Sequence, residues 1–82
     1  MPDKHKFRIL IVDDDEPLRL LARRAMAAAN LVPETATDGA NALTKLKEST
    51  YHAVLTDLKM PRMHGVDLIS QILDKPNHPT II

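Results

Sequence analysis

The sequence predicts an α/β fold: a doubly wound parallel sheet of order 2-1-3-4, with strands one to four and helices one to three. Three observations carry this. Arg8-Ile9-Leu10-Ile11-Val12 is a continuous β-branched and aliphatic run without polar alternation, as expected of a strand buried on both faces. Strand-like and helix-like segments then alternate along the chain, which requires right-handed crossovers and parallel pairing. The first and third strand-like runs end abruptly in aspartate, at Asp13 and Asp57.

Composition bounds what such a domain can do. The 82 residues, 44% hydrophobic and 27% charged, suit one small soluble domain. Eleven basic and eleven acidic residues leave no net charge, which argues against a protein that works by gripping nucleic-acid phosphate. One Tyr, one Phe and no Trp offer little on which to stack bases. Without cysteine there is no disulfide scaffold, thiolate metal site or cysteine nucleophile. No apolar run approaches the ~18 residues of a membrane span, and Met1–Lys6 lacks a signal-peptide core. The expected setting is the cytoplasm.

Each element has its own warrant. After the first strand, Asp13-Asp14-Asp15-Glu16 and Pro17 mark a helix start: acids at the positive end of the dipole, and a proline preset for the first turn. Leu18, Leu21, Ala22, Ala25, Met26 and Ala29 recur at helical spacing, Asn30 is the expected stop, and Arg19, Arg23 and Arg24 lie opposite, as a solvated face in preference to a partner-binding patch. Leu31 to Thr37 reads as a weaker strand, and Pro33 restricts it to a strand start or a sheet edge. Asp38-Gly39 turns into a second helix with Ala40, Leu43, Leu46 and Lys47 on its stripe, running to about Glu48. Ala53-Val54-Leu55-Thr56 is the third strand and ends in Asp57. A loop through Gly65 leads to a third helix marked by Val66, Ile69, Ile72 and Leu73, and Thr80-Ile81-Ile82 begins a fourth strand.

The acids carry the chemistry. In this strand order the first and third strands are neighbours, and ligands bind beyond their carboxyl ends, where the order reverses. Asp13, Asp14 and Asp57 therefore converge from distant parts of the chain. Three carboxylates in one cleft need a proton or a cation, and an all-oxygen donor set favours Mg²⁺. A carboxylate beside such a cation can attack phosphorus and become an aspartyl phosphate. The four histidines have no metal-ligand spacing and read as surface or loop residues. Two glycines, Gly39 and Gly65, cannot build a P-loop or a dinucleotide fingerprint.

The segment Ile9–Arg19, with Asp57-Leu58-Lys59-Met60-Pro61-Arg62-Met63-His64-Gly65, resembles the receiver domain of two-component response regulators, a flavodoxin-like fold. Asp38-Gly39-Ala40 and His78-Pro79-Thr80-Ile81-Ile82 extend the likeness over nearly the whole chain. The resemblance implies Asp57 as phosphoacceptor. It implies a Mg²⁺ site of Asp13, Asp14, Asp57 and the backbone carbonyl of Lys59, with Asp14 the direct acidic ligand and Asp13 acting largely through water. The Lys59 side chain either overhangs the site or is a solvated loop charge. Asp15 and Glu16 are assigned to capping. The implied partner is a histidine kinase or histidine phosphotransfer protein, and the implied role is signalling, with no catalysis beyond the module's own phosphorylation and dephosphorylation. A complete receiver has a switch Ser or Thr at the end of strand four and continues through helix 4, strand 5 and helix 5, with a Lys at the end of strand five, and both positions lie beyond Ile82. Residues 1–82 are therefore expected to form a receiver lacking that portion, as a fragment of a longer regulator.

Two other readings compete. A receiver cut short exposes its fourth strand and could act as a non-signalling self-association or interaction module. Asp13-Asp14-Asp15 also contains the D-x-D of haloacid-dehalogenase-type phosphohydrolases. Glu16-Pro17 follows it where those enzymes carry Thr or Val, and their later motifs need a much larger chain.

Overall fold

The computed structural model describes residues 7–56, 65–74 and 79–82. The elements are β1 (Arg8–Val12), α1 (Glu16–Ala28), β2 (Val32–Ala36), α2 (Gly39–Glu48), β3 (Ala53–Thr56), α3 (Gly65–Leu73) and β4 (Thr80–Ile81). All strands pair in parallel, in the order β2-β1-β3-β4 that the sequence predicts. β1 is central, and Ile9, Leu10, Ile11 and Val12 are each 2% exposed or less. β2 lies at an edge, where Pro33 can occupy the strand without leaving a ladder bond unmade inside the sheet.

The helix ends follow local chemistry. Asp15 caps α1, its side chain accepting the Leu18 N–H at 3.1 Å, and Pro17 sits in the first turn. Asp38 caps α2 in the same way through the Asn41 N–H at 2.8 Å. At the far end of α1, Asn30 adopts φ 67°, a left-handed conformation that asparagine tolerates better than most residues. The Leu31 N–H then bonds the Met26 carbonyl and the Asn30 N–H bonds the Ala27 carbonyl, each at 3.0 Å. This pair of bonds closes a Schellman motif with asparagine in the usual glycine position.

Leu10 and Val12 face α2 and α3, joining Ala36, Ala42, Tyr51, Val54, Leu68 and Ile72 in one core. Ile9 and Ile11 alternate to the other face, the side of α1. Two expected stripes are revised. In α2, Ala40 and Lys47 are exposed, while Ala42 is buried and Leu43 and Leu46 are half-buried. This helix packs against β1, β2 and α3 together, so the small Ala42 occupies the position of closest approach. In α1 no residue is fully buried, and Leu18 and Leu21 are 52% and 65% exposed. Among the described residues, α1 packs on β1 and β2 without a helix beside it, so its apolar stripe is covered on one flank.

Candidate functional site

Strand pairing sets the site. Val12, the last residue of β1, is in register with Thr56, the last of β3, so the two strands finish side by side. Asp13 leaves β1 still tied to the neighbouring strand, its N–H donating to the Ala36 carbonyl at 3.2 Å. Its side chain turns back on the loop and accepts the Asp15 N–H at 2.9 Å. From α1, Arg19 Nη1 donates to the Asp13 carbonyl oxygen at 2.8 Å. Asp15 is committed to the helix cap. Asp14 is exposed and makes no hydrogen bond to another described residue.

Asp13 and Asp14 thus arrive together, as predicted, at the carboxyl end of β1. Neither is in an ion pair with a described residue. Two carboxylates on a short loop, without an ion-pair partner among the described residues, are a donor set that suits a hydrated oxygen-binding cation. The predicted acceptor Asp57 and the predicted carbonyl ligand Lys59 lie outside the described residues, so two of the four expected ligands are seen here. Beside the acids, a groove of about 380 Å³ runs between α1 and the ends of β1 and β3, with Leu18, Ala22, Leu55 and Thr56 in its walls.

The amino end of the same sheet holds a second polar cluster, absent from the sequence reading. Arg8 pairs with Glu34, donates Nη1 to the Thr50 carbonyl at 2.9 Å and lies 4.7 Å over the Tyr51 ring. Its backbone N–H donates to His52 Nδ1 at 2.9 Å, and the His52 ring stacks on Phe7 with centroids 5.0 Å apart. Burial pushes the Tyr51 hydroxyl above its ordinary value of about 10, and the nearby negative charge of Glu34 raises it further. The signal that finds this cluster is strand order: 2-1-3 brings Arg8, Glu34 and Tyr51 together although 26 residues separate the first two. Arg19 was also misread. It is half-buried and bonded to the acidic loop, whereas helical periodicity placed it on a solvated face.

Comparison with known proteins agrees with this architecture. Residues 9–82 match the family described as the response regulator receiver domain. The DNA-binding transcriptional regulator NtrC of Escherichia coli is 38% identical over 73 residues, 89% of this chain and 15% of its own length. The transcriptional regulatory protein ResD of Bacillus subtilis is 33% identical over 82 residues, all of this chain and 34% of its own. The chain therefore spans between about a seventh and about a third of these two curated relatives. Among solved structures, the response regulator TrrA of Thermotoga maritima, in complex with Mg²⁺–BeF, superposes with a TM-score of 0.87 at 31% identity. The superposition covers 92% of this chain and 65% of that one. TrrA has also been solved in complex with the histidine kinase ThkA, at a TM-score of 0.85. With its parallel 2-1-3-4 sheet and its acids at the end of the central strand, the chain belongs to the response regulator receiver domain family of two-component systems.

Proposed function

We propose that Asp57 accepts a phosphoryl group from a histidine kinase or histidine phosphotransfer protein, in a Mg²⁺-dependent reaction in the cytoplasm. The observation that carries this reading is the pairing of Val12 with Thr56. Asp13 follows one of these residues in sequence and Asp57 follows the other, which supports assigning both to one site. A carboxylate oxygen of Asp57 forms the new bond to phosphorus as the bond to the donor imidazole nitrogen breaks, and the electron pair leaves with the imidazole. Asp13, Asp14, Asp57 and the Lys59 carbonyl are the residues that would hold Mg²⁺, which when bound neutralises charge on the phosphoryl oxygens. The chain's own contribution at Asp13 and Asp14 is to present their carboxylates on a loop tied at Asp13 and Asp15. A kinase partner is supported by the TrrA–ThkA complex, and Mg²⁺ by the TrrA complex with Mg²⁺–BeF.

Intact mass before and after incubation with acetyl phosphate and Mg²⁺ tests the proposal. We expect one phosphoryl increment on the parent chain and none on Asp57→Asn. Equal labelling of the variant would place the acceptor elsewhere.

A second reading, self-association without signalling, is favoured by one observation. Among the described residues β4 is an edge strand with Thr80 and Ile82 exposed, and a strand edge is a pairing surface. Sedimentation of the chain across a hundredfold concentration range decides it: mass rising with concentration supports assembly, and a constant monomer mass rejects it.

A further inference from the structure

We propose that Arg19 is a positioning residue for the acidic loop, fixing the peptide plane between Asp13 and Asp14 so that both carboxylates are presented to a divalent cation. This rests on the reading of Asp13 and Asp14 as Mg²⁺ ligands. The loop is short, and its fastenings can be followed bond by bond. The Asp13 N–H is held by the Ala36 carbonyl, and the Asp13 carboxylate by the Asp15 N–H. The Asp13 carbonyl oxygen accepts from Arg19 Nη1 at 2.8 Å. Arg19 is itself anchored to the far side of the loop, its backbone N–H donating to the Asp15 carbonyl at 2.9 Å. One residue of α1 thus clasps both ends of Asp13-Asp14-Asp15. The carbonyl it fixes belongs to the peptide that leads into Asp14.

The choice of acceptor matters. Arg19 stands among Asp13, Asp14, Asp15 and Glu16, yet the bond it makes to this loop through its side chain goes to a neutral carbonyl. A guanidinium paired with a carboxylate would compete with an incoming cation for the same oxygens. Bonded to a carbonyl, it orders the loop and leaves the carboxylates to the metal. Arginine suits the task because its planar fork loses less freedom per bond than a lysine does. Partners that orient metal ligands from outside the coordination sphere commonly govern affinity by about tenfold or more.

Two effects of removing Arg19 have opposite signs, and this makes the proposal testable. Loss of the clasp loosens the ligands and weakens Mg²⁺ binding. Loss of a positive charge beside the site strengthens it. Arg23 provides the control: it lies one turn further along α1, lines the same shallow recess as Arg19, and is exposed. Mg²⁺ binding to the whole chain is measured by isothermal titration calorimetry, with circular dichroism confirming the fold of each variant. We expect Arg19→Met to weaken Mg²⁺ binding about tenfold, Arg19→Lys to weaken it to a smaller extent, and Arg23→Met to leave it unchanged or tighter. Unchanged or tighter binding by folded Arg19→Met would overturn the proposal. If Arg19→Met does not fold, Arg19→Lys against Arg23→Lys decides: weaker binding by the first alone supports the clasp, and equal binding rejects it. A folded wild-type chain that takes up no Mg²⁺ would overturn the underlying reading of Asp13 and Asp14, and the clasp with it.

Discussion

The two ends of β1 treat charge in opposite ways. At the amino end the guanidinium of Arg8 meets a carboxylate, a carbonyl and an aromatic face, and the strand's first N–H is taken up by His52. At the carboxyl end Asp13, Asp14, Asp15 and Glu16 follow one another, and among the described residues the guanidinium bonded to them, that of Arg19, grips a carbonyl and not a carboxylate. The first arrangement is what a sheet margin needs for stability: polar groups that close on one another. The second leaves like charges adjacent, which costs stability unless a cation balances them. The first cluster serves the fold, and the second is where we propose the cation site.

That contrast can be broken or sharpened by substitution. The largest effect on folding is expected from Arg8→Met. It removes a half-exposed ion pair worth under about 1 kcal/mol, a charged hydrogen bond and a cation–π contact, for a total near 2 kcal/mol. Denaturant unfolding should show this loss while Mg²⁺ affinity stays within twofold of the parent. A change in affinity as large as the change in stability would mean that the two ends are coupled. Asp15→Ala should cost about 1 kcal/mol, because among the four acids it is the one that caps α1. Relief of repulsion from its neighbours makes that an upper value, and a gain in stability would assign Asp15 to the site instead of the cap.

The smallest effect concerns Tyr51. Its folded pKa is raised above the ordinary value of about 10, so the folded state keeps the phenolic proton at a pH where the unfolded state has begun to release it. Its contribution to stability is therefore complete below about pH 10 and is lost as pH rises through the folded value. Urea unfolding at pH 9 and pH 11 should show a steeper decline for the parent chain than for Tyr51→Phe. Equal slopes would show that ionisation of Tyr51 has no part in the alkaline transition.

Much of this molecule was legible because its signals are local or periodic. The unbroken aliphatic run at Arg8–Val12 gave a central strand, Pro33 an edge strand, Asp15 a cap and Asn30 a stop, and each stands where the sequence put it. The pairing of Asp13 with Asp14 needed no structure. The buried face of α2 was shifted, because periodicity alone does not tell which side of a short helix meets both a sheet and another helix, and Ala42 is too small to advertise itself. Arg8, Glu34, Tyr51 and Arg19 were missed or misassigned for a related reason. Their partners are carbonyls and rings reached across strands or around a helix turn, and a charged residue in sequence carries no record of its acceptor.

The most direct test of the account is the melting temperature of the chain titrated with Mg²⁺, for the parent, Asp14→Asn and Glu34→Gln. A cation bound by the folded state alone raises stability in proportion to the logarithm of its concentration, by about 2.7 kcal/mol at a hundredfold excess over Kd. We expect the parent and Glu34→Gln to rise together, Glu34→Gln from a lower starting point, and Asp14→Asn to stay flat. A rise in Asp14→Asn equal to that of the parent, or its loss in Glu34→Gln, would contradict the assignment of the leftover charge to the carboxyl end of β1.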